Sequence, residues 1–136
     1  MARLAFAAPG AAPGQAGPAE RLAARTPATE AELADFRHGA ATGRLLVAVA
    51  GTPSEGVLSG GALLRVDDVA EVAGVGTLPA ARRRGLGAAV TVALARTALD
   101  GGARTVLLSA GGAAQARLYA RLGFRRVGTA CIAEPA

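Results

Sequence analysis

The spacing of apolar residues changes period once, at Pro79, and that change limits the folds open to this chain. Upstream of it, Val69, Glu71, Ala73, Val75 and Thr77 alternate with Ala70, Val72, Gly74 and Gly76, the two-residue period of a strand. Pro79 ends the run, because proline has no N–H to give a sheet ladder. Downstream, Leu86, Ala89, Val90, Ala93, Leu94 and Thr97 share one helical stripe, and Asp100-Gly101-Gly102 stops it. A compact β-like run follows from Arg104 to Ser109. A strand, a helix and a second strand in succession predict parallel neighbours joined by a right-handed crossover.

The flanks complete a mixed α/β pattern. Leu45–Ala50 and Val57–Val66 read as a hairpin across Gly51-Thr52-Pro53-Ser54, and Asp67-Asp68 reads as the next turn. Gly60 and Gly61 weaken the second of those strands. After Ser109, Ala113–Leu122 reads as a helix stopped at Gly123, and Phe124–Ile132 as one closing strand or two, broken near Gly128. From Arg44 the expected order is β-β-β-α-β-α-β. Before it, Thr29 and Glu32 have the spacing of a capping box for a helix carrying Leu33 and Phe36, with Gly39 or Gly43 ending it, and Phe36 and Phe124 read as core residues. Residues 1–27 are rich in Pro, Gly and Ala. They are expected to be irregular or partly helical, with a short helix between Ala19 and Arg25, and the domain proper to occupy 28–136.

A chain of 136 residues suits one domain. With 36 Ala, 19 Gly and 3% aromatics, its core must be made of Leu, Val and Ala at close packing. No apolar run approaches a membrane span, and the start is too short for a secretory signal. A lone Cys131 excludes a disulfide framework and reads as a small core residue, so a cytoplasmic location and no metal are expected. His38 reads as a surface residue of the first capped helix. The net charge of +5 comes entirely from arginine, since there is no lysine. The one run of three is Arg82-Arg83-Arg84.

That run lies in the stretch with the most chemistry, Gly74 to Ala88. A strand ends at a proline, an arginine-rich loop with Gly85 and Gly87 follows, and the loop opens straight into a helix. Such a loop can aim successive backbone N–H groups and a helix N-terminus at an anion, with arginine forks adding charge-assisted bonds. The same pattern also fits a capped helix behind a solvated basic corner. No Gly-Lys-Ser/Thr follows, so it is not a Walker loop, and Val90 stands where a dinucleotide fingerprint has its third glycine.

Arg82, Gly85 and Gly87, placed just after Pro79, resemble the Arg/Gln-x-x-Gly-x-Gly/Ala pyrophosphate motif of the GNAT superfamily of acyl-CoA-dependent N-acetyltransferases. Leu118-Tyr119-Ala120-Arg121-Leu122-Gly123-Phe124 is similar to that superfamily's Leu-Tyr-x-x-x-Gly-Phe signature. The two motifs occur in order around a helix and a strand, and the resemblance spans about residues 44–133. It implies the GNAT acyltransferase fold, with antiparallel hairpins and a splayed parallel pair flanked by helices. It implies acetyl-CoA as acyl donor, with Arg82, Arg83, Arg84, Gly85, Leu86, Gly87 and Ala88 around the pyrophosphate and Gly76, Thr77 and Leu78 along the pantetheine arm. It also implies transfer to a primary amine of a small molecule or a protein, by direct attack through a tetrahedral intermediate, with a backbone N–H near Thr77 or Leu78 meeting the oxyanion.

In that scheme Tyr119 is the general acid toward the leaving thiolate. Glu71 is the best-placed carboxylate to serve the amine, on the expectation that it shares a strand face with Val75 and Thr77. The bland alternatives are a solvent-facing Glu71 and a Tyr119 that merely packs. Two positions depart from the superfamily: Gly112 stands where Asn is common and Gln115 where Ala is common, with Ser109 a compensating contact. The superfamily's opening strand is not evident, so the chain reads as an N-terminally truncated or minimal version whose free sheet edge would invite a second copy. The competing reading is a non-catalytic acyl-CoA-binding relative. Nucleic-acid binding is disfavoured, because Phe6, Phe36, Tyr119 and Phe124 do not interleave with the basic residues.

Overall fold

The structure is a computed structural model that describes residues 2–8, 10 and 12–130. In chain order it contains α1 (Ala2–Ala7), α2 (Pro18–Ala23), α3 (Glu30–Ala41), β1 (Leu45–Thr52), β2 (Gly56–Val66) and β3 (Val69–Thr77). A 3-10 turn at Pro79–Ala81 leads to α4 (Leu86–Asp100), β4 (Thr105–Leu107) and α5 (Ala113–Arg121). The sheet order is β1-β2-β3-β4, with the first three strands antiparallel and β4 parallel to β3 across the α4 crossover. This is the mixed α/β architecture the sequence implied. Local chemistry sets several boundaries. Thr29 Oγ1 accepts from the Glu32 N–H at 3.2 Å while the Glu32 carboxylate accepts from the Thr29 N–H at 2.7 Å, closing the capping box of α3. Gly123, at φ +97°, turns the chain out of α5.

The core lies between α4 and one face of the sheet. Leu63, Ala70, Val72, Val90, Leu94, Ala98 and Ala103 are buried together, with Ala48, Ala50, Val75, Val106 and Leu108 packed against them. Gly61 makes this fit possible. A Cβ there would stand 2.9 Å from Val75 Cγ2 and 3.2 Å from Val90 Cγ1. The glycine that weakens β2 locally is the clearance that lets α4 approach it. A second cluster of Leu58, Leu78 and Ala81 joins the end of the sheet to the 3-10 turn, and Leu4 and Leu86 pack on it.

Several expectations are corrected. The buried side of α4 is Val90, Thr91, Leu94 and Ala98, whereas Ala89, Ala93 and Thr97 face outward. Alanines on every side left the stripe ambiguous, and Thr91 tolerates burial by donating to Gly87 O at 2.8 Å. Phe36 is 47% exposed, because α3 touches the sheet mainly where Gly39 meets Leu45. Residues 124–130 form no strand. β4 itself is only three residues long, and Val127 is 90% exposed. The expected closing strand runs on to Ile132 and, with Cys131, passes outside the described residues.

Residues before Glu30 contain α1 and α2 and are fastened to the sheet end. Gly14 N–H donates to Pro79 O at 3.1 Å, Ala80 N–H to Ala16 O at 3.0 Å, and the Arg21 guanidinium to Val57 O. Among the described residues no helix is long and apolar enough to cross a membrane.

Leu94 is fully buried at the centre of the larger cluster. Leu94→Ala is expected to lower stability by about 3 kcal/mol, the usual cost of a large-to-small change at a well-packed site. In urea unfolding this would appear as a lower midpoint with an unchanged slope; a midpoint within error of the unmodified chain would show that the α4 interface does not hold the fold.

Candidate functional site

A bulge in β3 creates the site. Gly60 pairs with Gly76 and Ala62 with Ala73, so Gly61 alone faces both Gly74 and Val75. Gly74 sits at φ +61°, the left-handed conformation such a bulge requires. The extra residue reverses the inside–outside alternation along β3. Ala70 and Val72 face α4 before the bulge, and Val75 and Thr77 face it afterwards, where they bracket Gly87. Glu71 therefore does not share a face with Val75 and Thr77, as plain alternation suggested. It lies with Ala73 and Gly76 on the opposite side. The bulge also bends β3 away from β4: the two strands pair only from Val69 to Glu71, opposite Thr105 to Leu107, and then separate.

Backbone groups at the end of β3 divide sharply. Leu78 N–H donates to Leu58 O at 2.8 Å, and Leu78 O accepts from Ala81 N–H at 2.8 Å. Leu78 is fully buried in the second cluster, so it is a packing residue with no donor left for the gap, contrary to its expected place along a ligand. Hydrogen-bonded and non-hydrogen-bonded pairs alternate in an antiparallel ladder. With Leu58–Leu78 bonded, the Ser59–Thr77 pair is not, and the Thr77 N–H and C=O point away from β2, toward the side β4 has vacated. The Thr77 hydroxyl is 3.0 Å from Ser59 Oγ, which fixes its side chain.

The loop that follows takes two left-handed positions, Arg83 at φ +64° and Gly85 at φ +78°. Alternation of this kind turns consecutive N–H groups toward one concavity. Gly85 is the N-cap of α4 and supplies no side-chain cap, and Ala89 N–H is the first to close a helical turn, onto Gly85 O at 3.0 Å. The amides of Leu86, Gly87 and Ala88 thus precede the intrahelical ladder and face the gap. At Gly87 a Cβ would stand 3.3 Å from Thr77 Oγ1, so glycine brings this helix end tight against β3.

The three arginines do not act alike. Arg82 donates to Ala5 O at 2.8 Å, Ala8 O at 2.6 Å and Ala12 O at 3.0 Å. Arg84 forks onto the Glu55 carboxylate of the β1–β2 turn, with both bonds at 3.2 Å, and its guanidinium holds that carboxyl below its ordinary 4.5. Arg83 alone of the three makes no hydrogen bond or ion pair among the described residues, and it lines the gap.

The gap is a cavity of about 770 Å³. One wall is Val75, Thr77 and the loop from Arg83 to Ala88. A second is Glu71, Ala73 and Gly76 with α1, where Ala5 and Phe6 stand. The third is Ser109, Gln115, Leu118 and Tyr119 from the β4–α5 side. Glu71 and Tyr119, far apart in sequence, thus border one space. Sequence reasoning allowed residues 1–27 to be partly helical and placed a helix between Ala19 and Arg25, where α2 lies, but placed none at α1. The signal available was Leu4 and Phe6 in an Ala-rich N-terminal segment.

The sequence model of the acetyltransferase (GNAT) family matches residues 17–124. The chain belongs to that family. Solved structures agree in fold. A glucosamine-6-phosphate N-acetyltransferase from Arabidopsis thaliana superposes with a TM-score of 0.71 at 15% identity, covering 84% of each chain. A putative acetyltransferase from Agrobacterium tumefaciens gives 0.65 at 24% identity, covering 89% of this chain and 98% of that one. A predicted acetyltransferase from Clostridium acetobutylicum with acetyl-CoA gives 0.62 at 14% identity, covering 86% and 84%. No curated protein sequence matches the chain.

In this GNAT domain the donor set suits an anionic, elongated ligand: main-chain amides at one end, an open strand edge in the middle and a phenol at the other. No group of three or more His, Cys, Asp or Glu able to hold a metal occurs among the described residues. Gly112 leaves α5 without a side-chain cap, and a Cβ there would stand 3.3 Å from Gln115 Oε1. His38 is exposed on α3, away from the cavity.

Tyr119 is half-buried, its ring edge-on to Phe124 at 6.2 Å between centroids, and burial raises its phenol above the ordinary 10.0. It is the only tyrosine, so its titration can be read directly from phenolate absorbance. The midpoint is expected above 10.0. Because the fold favours the neutral phenol, the stability it contributes is present below pH 10 and is lost as pH rises through the folded-state value. A midpoint at or below 10.0 would show the ring to be solvated.

Proposed function

We propose that this GNAT domain transfers an acetyl group from acetyl-CoA to a primary amine of a small molecule or a protein, by direct attack. The observation that carries the reading is the doubly left-handed loop from Arg83 to Gly85. It leaves the first amides of α4 uncapped at the mouth of the splayed strands. Acetyl-CoA supplies an activated acyl carbonyl and a thiolate leaving group; the rest falls to the chain.

The amides of Leu86, Gly87 and Ala88 and the free guanidinium of Arg83 hold the diphosphate. The Thr77 backbone edge aligns the amide-bearing arm and offers its N–H to the negative charge that develops on the acyl oxygen. Leu78, with both backbone groups engaged, keeps that edge rigid. The amine arrives from the α1 side and must be neutral to attack. Glu71 borders that side and takes its proton, directly or through one water. Tyr119, kept neutral by burial, protonates the departing sulfur. A cytoplasmic setting is consistent with such chemistry. The acceptor of the Arabidopsis relative, a sugar-phosphate amine by its name, makes amino sugars the first class to try here.

Coenzyme A is expected to raise the melting temperature in a concentration-dependent way, and acetyl-CoA to release free thiol when amino sugars, polyamines or peptides are added. Gly85→Glu should abolish the coenzyme effect, since it places a bulky anion at a left-handed position facing the phosphates. Tyr119→Phe should lower kcat by roughly 100-fold with cofactor affinity little changed. Cofactor binding without thiol release from any amine would reduce the chain to an acyl-CoA-binding relative. No binding at all would remove the reading.

A further inference from the structure

We infer that Arg82 is a positioning residue: its guanidinium fastens the N-terminal segment over the Glu71 side of the cleft and so builds the wall against which the amine docks. The inference rests on the acyltransferase reading for what the wall does, and on geometry alone for the fastening.

Arg82 stands at the first position of the phosphate-loop motif, where a cation is most simply read as a phosphate ligand. Its donors are directed elsewhere. Nη2 reaches Ala5 O and Ala8 O, and Nη1 reaches Ala12 O. These are one carbonyl of α1 and two of the chain leaving it. A fixed planar fork suits three such acceptors, whereas an ammonium is a single point of charge. The same segment is held at other points. Leu4 packs on the Leu58, Leu78 and Ala81 cluster. Ala5 is 7% exposed, and a Cβ on Gly76 would stand 2.8 Å from its own Cβ, so only a glycine at 76 lets α1 lie flat on β3. Gly14 and Ala16 pair with Pro79 and Ala80.

The bulge determines what this segment covers. Past Gly74, Gly76 points to the same side as Glu71 and Ala73, opposite the phosphate loop and α4. Ala5, Phe6, Ala8 and Gly10 line the cavity on that side. Arg82 therefore ties the loop that would hold the donor to the wall facing the acceptor. The wall has no sheet strand of its own and buries little; without the guanidinium, the carbonyl ends of α1 lose their acceptor contacts with the loop.

The test compares the full chain with Arg82→Ala and Arg82→Lys. Amide hydrogen exchange over residues 4–17 is expected to accelerate about tenfold in Arg82→Ala. The KM for the best amine of the panel should rise about tenfold while kcat stays within about twofold. Coenzyme A affinity should change little, and Arg82→Lys should recover part of both losses. If Arg82→Ala folds poorly, Arg82→Lys still reads the split in milder form. Unchanged exchange with a tenfold loss of coenzyme A affinity would make Arg82 a phosphate ligand and overturn the inference. Faster exchange with an unchanged amine KM would overturn it too, because the segment would then be no wall. Exchange reports the fastening whether or not any amine turns over, so failure of the acyltransferase reading and failure of the fastening are separable.

Discussion

One extra residue in β3 controls the arrangement of everything else. The bulge at Gly74–Val75 costs a break in the ladder and needs a left-handed backbone, which glycine adopts without strain. In return it does two things at once. It tilts β3 off β4 after only three paired residues, leaving a backbone edge unsatisfied inside the domain. It also exchanges the faces of β3, so that Val75 and Thr77 pack toward α4 while Gly76 opens toward α1. A straight strand could do neither: it would either continue pairing with β4 or present Thr77 to the wrong side.

The loop after β3 shows how a cluster of like charges can be divided. Three adjacent guanidiniums beside a helix N-terminus repel one another and the dipole. Here two of them are engaged by partners on either flank, Arg82 by hydrogen bonds to main-chain carbonyls of the N-terminal segment and Arg84 by the Glu55 carboxylate on the β1–β2 turn. Only Arg83 remains for an anion. The neighbours fix the loop in the left-handed conformation that an isolated Arg83 would disfavour. The concavity is then defined by main-chain N–H groups, which neither titrate nor change rotamer.

The order of elements from Leu45 to Arg121 was legible because period, turn residues and caps agreed. The two strands around α4, the capping box at Thr29 and the stop at Gly123 each rest on local chemistry that tertiary structure did not override. The loop motif was legible for the same reason. What was not legible followed from features with no one-residue signature. The bulge leaves alternation looking regular, since Gly74 fits either face, and so Glu71 was grouped with the wrong neighbours. Leu78 looks like any strand-end residue until its N–H is seen to be paired. The stripe of α4 was blurred by alanine, whose small side chain is indifferent to burial. α1 could not be anticipated, because six residues of Ala, Arg, Leu and Phe become a helix only through the surfaces they dock on.

The two halves of the cleft differ in how they are held. One half is made of β3 and α4, whose inward residues form the main core, so its geometry is as stable as the fold itself. The opposite sheet face is thinly covered: Val47, Val49, Leu64, Val66 and Val69 are each more than a third exposed. α5, which carries Tyr119, buries no residue fully, and α1 is held by Leu4, Ala5 and the bonds from Arg82. Local opening follows the density of buried contacts. The α1 and α5 sides of the cleft are therefore the ones the fold leaves loosely attached, while the β3–α4 side, with its uncapped amides, is tied to the main core. This division needs no hinge or lid; it follows from placing a bulged strand with its core on one face only.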